Sequence, residues 1–248
     1  DRHLRLQLAA LLVLVQRQAV DRAATLRADD VRAPAVLRER VGDGRGEVLV
    51  LGERDCSVQR RHQKVVEEAP APKLSEAVRT ALHEAARAAA AAVDYRGAGT
   101  VEFLYDPATE RFFFLEMNTR LQVEHPVTEE VFGVDLVGLQ LQVAEGGFDP
   151  RAALAAHRPA ARHAIEVRLY AEDPAADYQP QSGTLRTFEI PVATGIRVDG
   201  GFESGSEVST HYDAMLAKVI STAPSREQAA RQLAGVLSGA RIHGLVTN

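Results

Sequence analysis

Cysteine is almost missing from this chain: Cys56 is the only one in 248 residues. No internal disulfide can form, and one thiol suits a reducing compartment. Long apolar runs are missing too. The longest early one, Leu8 to Val15, falls short of the roughly 20 residues that cross a bilayer. Arg2 and Arg5 precede it in the manner of a signal peptide, but no clear cleavage site follows, and the sequence opens on Asp1. An excess of positive charge is also lacking. The 29 Lys and Arg face 34 Asp and Glu, a formal net charge of −5. That argues against a general nucleic-acid binder, which needs a dense basic face. There is no Gly-rich phosphate loop with a lysine, no dinucleotide fingerprint, no zinc-ligand set and no nucleophile elbow. The expectation is a cytoplasmic protein that binds neither nucleic acid nor membrane.

What is present suits a soluble globular chain of one or two domains, with 46% hydrophobic and 25% charged residues. Residues 1 to 41 stand apart: they are rich in Arg, Ala, Leu and Val, with no Lys and Glu39 as the one Glu. Leu4 to Val20 reads as a helix. Gly42 to Gly46 reads as a turn leading to a strand over Glu47 to Leu51. A polar loop, Arg54 to Lys64, and a proline-punctuated stretch follow. Ser75 to Val93 reads as a helix capped by Ser75, with Val78, Leu82, Ala85, Ala86, Ala89 and Val93 on one stripe and Gly97 and Gly99 ending the unit. Thr100 to Tyr105 and Arg111 to Met117 form a β-hairpin about Asp106 to Thr109. Glu129 to Ala144 reads as a helix capped by Thr128 and stopped at Gly146 and Gly147. The Ala/Pro-rich residues 148 to 160 mark a domain boundary. Beyond it come strands at His163 to Tyr170, Thr184 to Ile190, Gly195 to Val198 and Ala217 to Ser221. A last helix starts at Ser225, with a capping box to Gln228 and an apolar face of Ala230, Leu233, Ala234 and Leu237.

The hairpin carries the sharpest chemical signal. Alternation puts Glu102 and Leu104 on one face, and Glu116 and Asn118 on one face, with Arg120 joining if the strand continues. Neighbouring carboxylates in an apolar hairpin need something positive between them. Glu102, Glu116 and Asn118 offer hard oxygen ligands suited to Mg²⁺; pairing of Glu116 with Arg120 is the structural alternative. In the run Arg120 to Pro126, Arg120 can clamp an oxyanion, Gln122 can add a hydrogen bond and Glu124 can act as a general base. His125, beside Pro126, reads as a structural hydrogen-bonder. The run Gln59 to Lys64 sets Arg60, Arg61, His62 and Lys64 together, either to meet phosphate or carbonate or as a solvated loop neutralised by Glu67 and Glu68.

Four runs together resemble the biotin carboxylase family. They are GERDCSVQRRHQKVVEEAP over Gly52 to Pro70, FLEMNTRLQVEHPVTE over Phe114 to Glu129, HAIEVRLYAEDP over His163 to Pro174, and YDAMLAK over Tyr212 to Lys218. The resemblance extends from about Gly42 to Asn248 and is closest to the acetyl-, propionyl- or methylcrotonyl-CoA carboxylase type. It implies an α+β fold, the C-terminal part of an ATP-grasp domain over 42–150 followed by the biotin carboxylase C-terminal domain over 160–248, and a place in acyl-CoA and fatty acid metabolism. It implies ATP as substrate with Mg²⁺ or Mn²⁺, and biotin borne on a separate carrier domain. The implied ATP-facing residues are Gln59, His62, Glu102, Leu104 and Glu116, with metal at Glu102, Glu116 and Asn118. Lys64, Arg120, Gln122 and the backbone of Val123 hold bicarbonate. Glu124 is the base, and Arg168 stabilises the enolate of the biotin ureido group. Implied partners are a biotin carboxyl carrier domain, a carboxyltransferase subunit and a second copy of the complete chain.

The resemblance also implies an N-terminal nucleotide-fold domain and a glycine-rich lid ahead of Gly42, and a closing segment beyond Asn248; none of these is found in the sequence. Aligned without a gap, a nucleotide-facing His of the family falls on Ala35. Two origins for residues 1–41 follow, a shifted reading frame in GC-rich DNA or a divergent head. The expectation is a biotin carboxylase piece inactive by itself; the alternatives are a non-catalytic remnant or another ATP-grasp ligase.

Overall fold

The structure, a computed structural model, describes residues 35–44, 47–60, 63–149, 152–153 and 162–248. The helix expected over Leu4 to Val20, and His62, lie outside them. Two compact units form. The first holds the described residues up to Val58 and those from Glu68 to residue 153; the second holds those of Gln59–Glu67 and of 162–248. Among the described residues no helix is long and apolar enough to cross a membrane.

In the first unit, strand β1 (Ala35–Asp43) lies between β2 (Val48–Arg60) and β4 (Arg96–Asp106), antiparallel to both, and β5 (Arg111–Asn118) pairs with the far edge of β4. β1 thus begins within the arginine-rich segment. Backbone hydrogen bonds hold a strand between two neighbours, whatever its side-chain letters. The polar loop expected over Arg54 to Lys64 is instead the end of β2 and the start of β3 (Gln63–Ala69). Its polarity misled because Arg54 and Cys56 both point inward and are fully buried.

Helix α1 (Glu76–Ala91) starts as expected, Ser75 accepting from the Val78 amide at 3.4 Å. Val78, Leu82, Ala86 and Ala90 are buried, and the first three share a cluster with Val101, Phe103 and Tyr105 of β4. Full burial of Leu82 alone contributes roughly 1.5–3 kcal/mol. Val93 lies past the helix end and is exposed, off the stripe assigned to it. Gly97 and Gly99 lie inside β4 rather than closing the helix. A Cβ on Gly99 would come within 2.6 Å of the Tyr95 hydroxyl, which donates to the Ala98 carbonyl at 2.7 Å.

The single helix expected over Glu129 to Ala144 is two, α2 (His125–Phe132) and α3 (Leu136–Glu145). Gly133 breaks it in the left-handed conformation (φ 66°), closing α2 through its N–H to the Glu129 carbonyl. Asp135 then caps α3, accepting from Gly138 N at 2.8 Å. Thr128, expected as the cap, sits inside α2.

In the second unit the order is β9 (Ile196–Gly200), β10 (Met215–Ala223), β6 (His163–Tyr170), β3. β6 matches its expected span. Helix α4 (Arg226–Gly239) packs on β10 and β6, with Ser225 accepting from Gln228 N at 3.3 Å. Its buried face is Ala229, Leu233 and Val236, not the expected Ala230, Leu233, Ala234 and Leu237. Both sets contain Leu233 at helical spacing, and β10 selects between them. The strand expected over Thr184 to Ile190 splits into β7 (Gly183–Thr184) and β8 (Thr187–Glu189). Between them Leu185 is fully buried, and its amide donates to Ser206 O at 2.9 Å. Helices and antiparallel strands together make the α+β class expected.

Candidate functional site

A bulge builds the site. Thr100 pairs with Asn118 and Glu102 with Glu116, but Phe103 pairs with Phe114, so Leu115 is the extra residue. On the near side of the bulge Phe112 and Phe114 pack into the α1 cluster. Beyond it Met117 takes over that role. The one-residue shift turns Glu116 and Asn118 away from the apolar side, onto the face that carries Thr100, Glu102 and half-buried Leu104.

There the two carboxylates oppose each other and one amide joins them. Asn118 Nδ2 donates to Glu102 Oε1 at 2.8 Å and to Glu116 Oε1 at 3.0 Å. Gln122 Nε2 donates to Glu102 Oε1 at 2.9 Å. The side-chain oxygen Oε1 of Gln122 accepts from Arg54 Nη2 at 3.0 Å. Arg54 also donates to Thr128 Oγ1 at 2.8 Å and Thr100 Oγ1 at 3.4 Å. Arg54, Thr100, Glu102, Gln122 and Thr128 are all buried. The donor set is entirely oxygen plus one amide, suiting a hard divalent cation that takes further ligands from substrate. Among the described residues no group of three or more His, Cys, Asp or Glu gathers.

Arg120 is exposed and its Nη1 lies 3.3 Å from the Leu121 carbonyl. Val123 is half-buried. Glu124 is buried at the entry to α2, where the positive end of the helix favours a carboxylate. His125 has the structural role expected: Nδ1 donates to the Gln122 carbonyl at 2.7 Å, and Nε2 lies 3.9 Å from Glu129 Oε2. Glu129 Oε1 in turn accepts from Leu136 N at 2.8 Å, holding α3 to α2.

Gln59, Lys64 and Arg168 belong to the second unit. Gln59 is exposed near the end of β2, and Lys64 is half-buried on β3. Arg168 Nε donates to Glu67 Oε1 at 2.7 Å, and Glu67 is wholly buried. Glu67 stands on β3. Arg168 also faces Tyr170, whose hydroxyl pKa is raised by burial against the opposing pull of that guanidinium. Arg60 pairs with Glu172 and lies over the Tyr178 ring, 3.9 Å from its centroid. Beside β6, burial pushes the Asp199 carboxyl up, but Arg197 and Lys218 outweigh it and hold its pKa below the ordinary value. Lys218 Nζ is 3.4 Å from Asp199 Oδ2. Arg54 and Glu67 were missed as site-shaping residues. The one available signal was strand alternation hidden inside a polar run.

Residues 35–148 match the family described as the carbamoyl-phosphate synthase L chain, ATP binding domain, and residues 166–248 match the biotin carboxylase C-terminal domain. The alpha subunit of mitochondrial methylcrotonoyl-CoA carboxylase from Glycine max is 48% identical over 207 residues, which cover 84% of this chain and 28% of that protein. Biotin carboxylase from Halalkalibacterium halodurans is 49% identical over 207 residues, covering 83% of this chain and 45% of that one. A crystal structure of the biotin carboxylase domain dimer of Hydrogenobacter thermophilus 2-oxoglutarate carboxylase, in complex with MgADP, ADP and bicarbonate, superposes with a TM-score of 0.82 at 39% identity. It covers 88% of this chain and 47% of that chain. The chain therefore spans less than half the length of each of these relatives. With the two domain matches in succession and this level of identity across more than four fifths of its length, the chain belongs to the biotin carboxylase family.

Proposed function

We propose that this chain carries the cation and bicarbonate chemistry of an ATP-dependent biotin carboxylase, the component of an acyl-CoA carboxylase that loads CO₂ onto biotin. The observation that carries it is the Glu102–Glu116 pair joined by Asn118, followed within a few residues by the buried carboxylate of Glu124. Glu102 and Glu116, with Asn118 beside them, would hold Mg²⁺ or Mn²⁺, which neutralises phosphate charge when bound. Gln59, His62 and Leu104 face the nucleotide. Lys64, Arg120, Gln122 and the Val123 backbone bind bicarbonate.

Glu124 takes the bicarbonate proton. Carbonate attacks the γ-phosphorus of ATP, ADP leaves, and carboxyphosphate breaks down to CO₂ and phosphate. Biotin, when presented by its carrier, would supply the ureido nitrogen that accepts CO₂, its proton passing to phosphate, and Arg168 would stabilise the charge developing on the ureido oxygen. A biotin carboxyl carrier domain, a carboxyltransferase subunit, a homodimeric whole protein and a cytoplasmic location belong to the same proposal. The match of residues 166–248 favours it over a carbamoyl-phosphate synthase relative.

The test follows bicarbonate-dependent phosphate release and carboxybiotin formation with free biotin. The chain alone is expected to show neither above a no-enzyme control. Joined to the N-terminal region of a related carboxylase, it is expected to show both. In that protein Glu124→Gln should depress both rates, and Arg168→Ala should cut carboxylation more deeply than ATP cleavage, on the order of 100-fold. Normal ATP cleavage by Glu124→Gln overturns the assignment.

A further inference from the structure

Arg54 has a place in the fold that the proposed reaction does not use. It is wholly buried on β2, and its guanidinium reaches three acceptors in separate places: Thr100 on β4, Gln122 in the loop after β5, and Thr128 on α2. Only one of these leads to a carboxylate of the site. A guanidinium can only donate and an ionised carboxylate can only accept. The Gln122 carboxamide stands between the two, and only one of its two flip orientations satisfies both. With its oxygen on Arg54 Nη2 at 3.0 Å, its nitrogen must face Glu102 Oε1, where it lies at 2.9 Å. Asn118 reaches the same oxygen from the other side, at 2.8 Å. Glu102 is thereby held in one rotamer opposite Glu116.

We propose that Arg54 is a positioning residue for the cation site, acting through Gln122 to set the orientation of Glu102. This rests on the reading of Glu102 and Glu116 as cation ligands. Residues that orient a ligating carboxylate shift metal affinity by roughly 10- to 100-fold when replaced. A guanidinium that merely cements β2, β4 and α2 would shift the melting temperature and leave the affinity of the folded protein unchanged.

The experiment titrates Mn²⁺ into the purified chain, reading free Mn²⁺ by electron paramagnetic resonance, with a thermal melt of each variant. Arg54→Lys keeps the charge but loses the fork, and Gln122→Met keeps the length but loses both hydrogen bonds. Each is expected to raise the Mn²⁺ Kd about tenfold. The double variant should be no weaker than Gln122→Met alone, because one relay is broken only once. Wild-type affinity in folded Gln122→Met overturns the proposal, and so do independent, multiplying losses in the double variant. If Arg54→Lys does not fold, Gln122→Met decides by itself. Glu102→Gln is the separate control. No Mn²⁺ uptake by the unaltered chain, or unchanged uptake by Glu102→Gln, shows that the cation-site reading itself has failed and removes the basis of the proposal.

Discussion

Replacing Arg168 by Ala should destabilise the protein through Glu67, apart from anything it does to catalysis. The two side chains meet at 2.7 Å, with 11% of the Arg168 side chain and none of Glu67 exposed. Removing one partner of a buried pair strands the other charge away from water and costs about 3–5 kcal/mol. The lower figure applies, since Arg168 keeps a solvated fringe, and ~3 kcal/mol corresponds to a fall in Tm of roughly 10 °C. The companion variant Glu67→Leu with Arg168→Met fills the same space without charge. It should recover most of that loss, because well-packed apolar replacement of a buried pair is near neutral. Differential scanning calorimetry of the three proteins reads this directly. A melt of Arg168→Ala within roughly 2 °C of the parent would refute the reasoning, and so would a double variant that falls further than the single one. The outcome also bears on the carboxylation assay. Coupling ratios for Arg168→Ala have meaning only below its own melting transition, where the role proposed for it in carboxylation is separable from loss of fold.

Two further outcomes are expected. The Asp199 carboxyl is held below its ordinary pKa by Arg197 and Lys218, against burial. Its stabilising contribution is therefore complete above the unfolded value of about 3.9 and is lost as pH falls through the lower folded one. The Tm gap between the parent and Asp199→Asn should narrow from pH 5 to pH 3, and a constant gap would contradict it. Gly133 closes α2 at φ 66°, and a Cβ there would meet nothing within 4 Å. Gly133→Ala should thus cost only backbone strain, roughly 1–2 kcal/mol, while Gly133→Asn, which tolerates this conformation, should cost distinctly less. Equal melts for the two would show that sterics rather than φ governs the site.

The hairpin shows how far periodicity reaches. Its two strands, its turn at Asp106 and the common face of Glu116 and Asn118 were legible, because alternation and turn chemistry are local. The bulge at Leu115 was not. No residue there demands it; it arises because Phe112, Phe114 and Met117 all have to reach α1 while Glu116 faces Glu102. The failed helix over Glu129 to Ala144 is the opposite case. Its apolar spacing continues across Gly133, and a glycine within an apolar run reads equally well as tolerated or as a stop. The left-handed turn is settled by Asp135 capping α3 and by Glu129 accepting from Leu136.

Sequence alone determined the family and the α+β class, and it named the candidate groups of the site, since those depend on letters in order and on short-range spacing. Only the tertiary structure decided what each group touches. Arg54 and Glu67 looked like members of a solvated run. They are buried because β2 and β3 fold that run inward, and a buried charge has to find a partner from elsewhere in the chain. Thr128 from α2 and Arg168 from β6, 74 and 101 residues away, are those partners. Separation of that kind leaves no mark in local pattern, because it is fixed by where the strands are laid side by side.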